Sequence, residues 1–410
     1  MNLRTLLVAL TLVVSWVVAV LAILKSLSVI VVSEPTLEDM VADTLSWNDY
    51  SNASSQTKDD SMNITTETRA TIVEFERQEG VVIVTKIQGP AYFKILEQSL
   101  CLLHYAYNQR VLYDIVVFVT VPITQEQETR VKALVAPANL TLVVDNRGLQ
   151  EEINALSPIR REKFLERCGN IPQENITWGT ECSSPISPDR DSRISYNWQA
   201  EFRSLHIWRH PALEGYRTML WIDADGFATK VWEQDPVARF LQNDLVILFD
   251  NFPQGHTKSE TTMFQDRIWN SFNKTICHNG LRDGHLETHL GGKNNCRKSS
   301  VRMIHGFFHI TNLDWFRQDV VMNFFENWIG DCFLCREFDD QGAVTIPPSV
   351  LAPNRSWDMY ENGIQLDVYH NRLLDGKSFR RRDLFKRYWK SNVEHNLTKA
   401  DGVCRITAQT

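Results

Sequence analysis

The chain contains 410 residues, of which 43% are apolar and 10% aromatic, and its 43 basic and 50 acidic side chains give a formal net charge of −7. This is the composition of a globular protein, so a disordered chain and a collagen-like repeat are excluded. Because the charge is negative and the basic residues are spread along the chain, no nucleic-acid partner is expected.

An uncharged apolar stretch runs from Leu6 to Leu24, and a second apolar run, Val29 to Val32, follows Lys25. The first stretch approaches the length that an α-helix needs to cross a bilayer. We therefore predict a short cytoplasmic tail at 1–5 and a transmembrane signal anchor at 6–32. A cleaved signal peptide is the alternative, but its apolar region is shorter and ends in a small-x-small site, which this segment lacks.

Glycosylation sequons predict the compartment of the rest of the chain. Chance gives roughly three Asn-x-Ser/Thr sites in a chain of this length, whereas seven occur, at Asn52, Asn63, Asn139, Asn175, Asn273, Asn354 and Asn396. All follow the apolar segment, so the C-terminal bulk is expected in the secretory lumen, in a single-pass type II protein of the Golgi or ER membrane. Residues 33–70 are polar and predict a stem, and 71–410 predict one lumenal domain.

Strand-like and helix-like segments alternate in this lumenal part. Apolar runs that predict strands are Val81 to Ile87, Asp114 to Val121, Leu140 to Asn146, Thr218 to Asp223 and Leu245 to Asp250. Helix-like segments lie between them, at Ala91 to Arg110, Thr124 to Leu134 and Pro236 to Gln242. The alternation predicts an α/β fold, a mostly parallel sheet flanked by helices. Two polar segments, Arg167 to Arg193 and Gln254 to Ser300, are predicted loops.

A pair of aspartates follows one of the predicted strands. Asp223 and Asp225 share a side of the chain, since residues i and i+2 share a face in extended backbone, and Gly226 permits a tight turn after them. Carboxylates at the carboxyl edge of a parallel sheet suit Mn²⁺ or Mg²⁺, which can bridge the phosphates of a nucleotide. Such a pair also occurs in solvated turns, but its position directly after a buried strand favours a metal site.

The segment WIDADGF, Trp221 to Phe227, resembles the DxD motif of GT-A glycosyltransferases. The resemblance implies a GT-A-like (Rossmann-like) fold in which Asp223 and Asp225 hold a divalent cation and contact a nucleotide-sugar donor. We assign Lys86, in the first predicted strand, to the same donor-binding set. A glycan or glycoprotein is the expected acceptor.

Two longer segments, HPALEGYRTMLWIDAD (His210 to Asp225) and HGFFHITNLDWFR (His305 to Arg317), are similar to the family 15 fungal-type α-1,2-mannosyltransferases. That family has a Glu-Pro-x motif where this chain has Asp-Ala-Asp. The resemblance implies retaining transfer from GDP-mannose and a late histidine that completes the metal shell, for which we select His370. It also places His309 where the family has a proposed catalytic glutamate, so His309 is a catalytic candidate.

A second acidic cluster, containing Glu337, Asp339 and Asp340, lies downstream. One of these carboxylates could face the sugar, either stabilising an oxocarbenium-like centre or orienting the acceptor hydroxyl. The alternative is the polar N-terminus of a helix that runs from Gln341. Asp340 and Asp339 are both catalytic candidates, with Asp340 preferred.

The eight cysteines are expected to form disulfides in an oxidising lumen. For Cys277 and Cys296 we prefer a disulfide to the alternative, a zinc site shared with the neighbouring histidines. For Cys332-Phe-Leu-Cys335 we prefer a structural disulfide to a redox motif. The remaining plausible pairs are Cys168 with Cys182 and Cys101 with Cys404. Two other functions stay open: a UDP-sugar-dependent galactosyl- or glucosyltransferase, and an inactive glycan-binding or scaffold protein.

Overall fold

The computed structural model describes residues 75–169, 171–183, 191–228, 230–250, 253–255, 258–274, 302–304, 306–330, 340–360, 362–366, 368–370 and 404. All of them belong to one compact unit, Ile72–Thr410. The predicted anchor at 6–32 and stem at 33–70 lie outside the described residues. Within the described ranges, none of the helices combines the length and the apolar character that a bilayer span requires.

The strands form one large sheet and three small ones. In chain order they are β1 (Val81–Ile87), β2 (Asp114–Val119), β3 (Leu140–Val144), β4 (Glu181–Ser183), β5 (Asp191–Arg193), β6 (Thr218–Ile222), β7 (Gly226–Ala228), β8 (Ile247–Phe249), β9 (Pro253–Gly255), β10 (Arg302–Ile304), β11 (Phe308–Asn312), β12 (Ser356–Asp358) and β13 (Val368–His370). The large sheet has the order β12-β8-β11-β6-β1-β2-β3, and the pairs β4–β5, β9–β10 and β7–β13 stand apart from it. Within the large sheet only β11 is antiparallel to its neighbours.

Helices cover both faces of the sheet. The α-helices are α1 (Phe93–Leu103), α2 (Gln109–Val111), α3 (Gln125–Val135), α4 (Leu149–Ala155), α5 (Pro158–Arg167), α6 (Ile194–Glu201), α7 (Pro236–Gln242), α8 (Lys258–Phe272), α9 (Leu313–Phe316), α10 (Asp319–Ile329) and α11 (Asp340–Leu351). Single turns of 3₁₀-helix occupy Pro90–Tyr92, Gln173–Asn175, Pro211–Leu213 and Pro353–Arg355, and π-helical turns occupy His104–Asn108 and Phe202–His206.

Alternation along the strands produces two cores, one on each side of the sheet. Val82 and Val84 of β1 join the core beneath α4, α5, α6, α10 and α11, whereas Val81 and Ile83 join the core beneath α1, α3 and α7. Successive side chains of a strand point to opposite faces, and a strand that is buried on both faces reads as a continuous apolar run. This explains why β1 is so evident in the sequence.

The α/β fold with a mostly parallel sheet is confirmed, and the strands β1, β2, β3, β6 and β8 lie within or at the predicted segments. The prediction of a loop over Gln254 to Ser300 is wrong, because α8 begins at Lys258. Phe264 and Phe272 of α8 stack on aromatic rings of α10. Apolar residues spaced by one or two helical turns therefore form a buried face on this otherwise polar helix.

The described residues contain two disulfides, Cys101–Cys404 and Cys168–Cys182. Both are pairs that the sequence suggested, and both are confirmed. The first joins α1 to a residue near the C-terminus, and the two sulfurs pack with Leu102 and Phe227. The predicted pairs Cys277–Cys296 and Cys332–Cys335 lie outside the described residues.

Candidate metal centre and active site

The Asp-Ala-Asp segment, 223–225, forms a tight turn between β6 and β7 at the carboxyl edge of the sheet. The Asp223 amide donates to the Phe307 carbonyl (2.8 Å), and the Gly226 amide donates to the Asp223 carbonyl (2.7 Å). A β-carbon at Gly226 would lie 2.7 Å from a side-chain carbon at the end of β6 and 3.0 Å from the Asp223 carbonyl oxygen. The turn that presents both carboxylates therefore depends on the missing side chain of Gly226.

The strand β13 brings His370 to this turn, because it pairs antiparallel with β7 and places His370 opposite Gly226. Nε2 of His370 lies 3.1 Å from Oδ1 of Asp225 and 3.5 Å from Oδ2 of Asp223. Its ring also contacts Phe307. One oxygen from each aspartate and one nitrogen of His370 all lie within 4.8 Å of one another. The structure thus brings together the three side chains that were predicted as metal ligands.

The electrostatics of these three groups suit a cation. Burial raises the pKa of Asp223, but the Arg203 guanidinium and the hydrogen bonds from His370 and Trp221 outweigh burial and hold the pKa at about 2. Burial lowers the pKa of His370, but its hydrogen bonds to both aspartates raise it to about 10. Without a metal, a proton on His370 is therefore held between two carboxylates. Mn²⁺ would replace that proton, because imidazole binds a metal only when neutral, and two carboxylate oxygens with one imidazole nitrogen form a donor set that Mn²⁺ accepts.

Arg203 connects this cluster to Asp340. Its Nη1 lies 3.3 Å from Oδ1 of Asp223 and 2.5 Å from Oδ2 of Asp340, the first residue of α11. Nη2 donates to the Gly306 carbonyl, and the guanidinium lies 4.4 Å from the centre of the Trp221 ring. Asp340 therefore lies near the metal-binding turn as the partner of a buried arginine, and it also begins a helix, as the alternative interpretation predicted.

Sequence reasoning did not identify Arg203 as a site residue. It lies in the π-helical turn Phe202–His206, in a segment with no motif of its own. A buried arginine needs carboxylate partners, and these come from the turn after β6 and from the start of α11, which are distant from Arg203 in sequence.

The catalytic candidate His309 lies in β11 opposite Trp221, and the two rings are nearly parallel with centres 6.4 Å apart. The side chain is buried, and neither ring nitrogen has a hydrogen-bond partner among the described residues. Burial, reinforced by the Arg203 charge, lowers the pKa of His309 to about 3. The structure places a neutral His309 in the sheet, outside the cluster of Asp223, Asp225 and His370. The second candidate, Asp339, lies outside the described residues.

The donor-binding candidate Lys86 lies near the carboxyl end of β1 with a fully buried side chain. Its ammonium pairs with Asp145 and donates to Oγ1 of Thr120 (2.5 Å). Asp145 also accepts from Nε1 of Trp198 (2.8 Å). Burial lowers the pKa of Lys86, an effect that the Asp145 carboxylate opposes. The structure therefore places the Lys86 ammonium in a buried polar network with Asp145 and Thr120.

No protein-family model matches the chain, and no curated protein matches its sequence. Among solved structures, the chain is similar to core-mannan synthase A (CmsA/Ktr4) from Aspergillus fumigatus in its Mn/GDP form. The TM-score is 0.53 at 16% sequence identity, over 72% of this chain and 75% of that chain.

A second similar structure is the mannosyltransferase Ktr4p from S. cerevisiae in complex with GDP. Here the TM-score is 0.52 at 15% identity, over 71% of each chain. The predicted resemblance to GT-A glycosyltransferases, including family 15 mannosyltransferases, is confirmed for the fold.

Proposed function

We propose that this protein is a metal-dependent glycosyltransferase that transfers a hexose from a nucleotide-sugar to a glycan or glycoprotein. The observation that carries the proposal is the convergence of Asp223, Asp225 and His370 at the carboxyl edge of the sheet. Ligands of open α/β sheets bind at this edge. Mannose from GDP-mannose is the preferred donor sugar, because both similar structures contain GDP and one of them also contains manganese.

The roles of the side chains follow from their chemistry. Asp223, Asp225 and His370 would hold Mn²⁺ beside the diphosphate of the donor. When bound, the cation supplies positive charge that offsets the charge on the departing nucleoside diphosphate. Asp340, kept next to the Arg203 guanidinium, supplies a carboxylate for the sugar or for the acceptor hydroxyl. We propose the retaining outcome that the family resemblance implies.

We further propose that the protein works in the lumen of the Golgi or ER as a single-pass type II membrane protein. Seven sequons follow the apolar segment at 6–32, and the two disulfides are of a kind that persists in oxidising compartments. Glycosidase treatment of protein from intact microsomes should lower its apparent mass, and added protease should not digest the C-terminal domain until detergent is present. Digestion without detergent would contradict this orientation.

The activity test is hydrolysis and transfer from GDP-mannose, UDP-galactose and UDP-glucose by the full chain, with Mn²⁺ and with a chelator. We expect Mn²⁺-dependent turnover, fastest with GDP-mannose. If a UDP-sugar is the faster substrate, the protein is still a glycosyltransferase, but its donor is not GDP-mannose. No turnover and no metal-dependent nucleotide binding with any donor would favour the scaffold function.

Asp225→Asn tests the site itself. The Asp225 side chain is one-third exposed, so its loss should leave the thermal midpoint within about 2 °C of wild type while metal-dependent nucleotide binding disappears. The matched control is Asp319→Asn, which removes an exposed carboxylate whose partner is Arg209. This change should alter neither the thermal midpoint nor nucleotide binding. Loss of folding in Asp225→Asn would instead make Asp225 a structural residue.

A further inference from the structure

Arg203 has two carboxylate partners on one nitrogen. Nη1 lies closer to Asp340 (2.5 Å) than to Asp223 (3.3 Å). The rest of the guanidinium is fixed, since Nη2 donates to the Gly306 carbonyl and the group lies over the ring of Trp221. Arg203 is itself buried, so water screens these interactions weakly. The two carboxylates therefore share one nitrogen of a guanidinium that is otherwise held in place.

The two oxygens of Asp223 have different surroundings. Oδ1 accepts from Nε1 of Trp221 at 2.7 Å and faces Arg203, whereas Oδ2 faces His370. A cation held with Asp225 and His370 would therefore use Oδ2, and Arg203 would act on the metal through the opposite oxygen of the same carboxylate. Groups that orient a metal ligand in this way alter metal affinity even though they do not touch the metal.

We propose that Arg203 is a positioning residue that couples the charge and orientation of Asp340 to cation binding at Asp223. This inference rests on the metal site of the proposed function and deepens it. The Asp340 carboxylate holds the guanidinium and leaves Asp223 available to a cation. Without that carboxylate, Arg203 pairs with Asp223 alone and competes with the cation. By reciprocity, a cation on Asp223 directs Arg203 toward Asp340 and fixes that carboxylate for the donor sugar.

A double-mutant cycle on Mn²⁺ affinity tests the coupling. The full chain is titrated with Mn²⁺ in the absence of nucleotide, and free Mn²⁺ is measured by electron paramagnetic resonance. We expect Asp340→Asn to raise the Mn²⁺ Kd about tenfold when Arg203 is present, and by less than about twofold in the Arg203→Met background. Plain through-space attraction between Asp340 and the cation predicts an equal or larger effect without Arg203, which would overturn the proposal.

A second arginine–carboxylate pair supplies the control. Arg147 and Glu152 lie 2.8 Å apart at the start of α4, the helix that follows β3. Glu152→Gln, alone and with Arg147→Met, should leave the Mn²⁺ Kd within about twofold of wild type. A tenfold rise in these variants would mean that loss of any such pair weakens binding, and the coupling would be rejected.

A structural measurement keeps the proposal testable if Arg203→Met does not fold. In a crystal structure of Asp340→Asn, the distance from Nη1 of Arg203 to Oδ1 of Asp223 should fall below 3.0 Å; an unchanged distance, or a guanidinium turned away from Asp223, would overturn the coupling. If the wild-type chain binds no Mn²⁺, the proposed metal site fails as well. If the wild-type chain binds Mn²⁺ and Asp340→Asn changes the Mn²⁺ Kd equally with and without Arg203, the coupling is rejected and the metal site stands.

Discussion

Two carboxylates lie at the ends of neighbouring parallel strands, at the same edge of the sheet as the metal-binding turn. Asp250 follows β8, and Asp358, which is fully buried, ends β12. Burial and the negative charge of Asp358 raise the pKa of Asp250 to about 7. In an unfolded chain the pKa of an aspartate is about 3.9. The folded protein therefore binds a proton on Asp250 at pH values where the unfolded chain does not.

The sign of the resulting pH effect follows from linkage. A carboxyl group with a raised folded pKa stabilises the fold most at low pH, and stability is lost as the pH rises from about 4 to about 7. We expect Asp250→Asn to raise the free energy of unfolding by about 1–2 kcal/mol at pH 8 and by much less at pH 4.5. Urea titration at both pH values measures this. An equal effect at the two pH values would mean that Asp250 does not titrate as stated.

Lys86 provides a test at the same scale, because a buried ion pair and a nucleotide ligand predict different phenotypes. Lys86→Met leaves Asp145 buried and without its ammonium partner, and we expect a loss of about 3–5 kcal/mol of stability. Adding Asp145→Leu should recover most of it. If Lys86 instead binds the donor, Lys86→Met will keep its stability to urea and lose nucleotide affinity.

At the scale of elements, the short strands β7 and β13 build the metal-binding cluster. They lie outside the large sheet, and their pairing places His370 opposite Gly226. Helix α1 supports this pair from behind, since Oγ of Ser99 donates to the Gly226 carbonyl at 2.7 Å. The position of His370 thus depends on β7, and β7 depends on the turn after β6.

A methyl group at Gly226 should disturb the whole arrangement. Its β-carbon would approach Ile222 to 2.7 Å, so we expect Gly226→Ala to cost about 1–3 kcal/mol of stability and to weaken Mn²⁺ binding at least about tenfold by displacing β13. Thermal melts and Mn²⁺ titrations measure the two effects. Gly215→Ala is the matched control, because nothing lies within 4 Å of the added carbon there. Unchanged Mn²⁺ affinity in Gly226→Ala would contradict the dependence of His370 on this turn.

At the scale of the whole molecule, the two disulfides close loops of very different length. Cys101 and Cys404 are separated by 303 positions, and Cys168 and Cys182 by 14. The chain-entropy model gives about 6 kcal/mol for the long loop and about 3 kcal/mol for the short one. Replacing Cys101 and Cys404 by alanine should therefore destabilise the domain more than replacing Cys168 and Cys182, as measured by guanidinium unfolding. The reverse order would show that the C-terminal bridge constrains the unfolded chain little.

The fold was largely predictable from local patterns. A strand buried on both faces must be apolar throughout, so β1 and β6 are evident without any tertiary information. The antiparallel direction of β11 and the helix α8 were not predicted. Strand direction depends on which edge is available for pairing, and α8 is stabilised by the aromatic side chains of α10, neither of which is a property of the local sequence.

Local sequence patterns were enough to predict the features that depend on near neighbours in the chain: the alternating strands and helices, and the Asp223–Asp225 pair, whose spacing sets both carboxylates on one side. His370 was selected from a family resemblance, and the tertiary structure places it beside them through the pairing of β13 with β7. The tertiary structure was needed to identify Arg203 as a site residue and to show that Lys86 and His309 are buried. The physical reason is that burial and charge pairing depend on side chains from distant segments, and a polar residue carries no local signal of which partners the folded chain will bring to it.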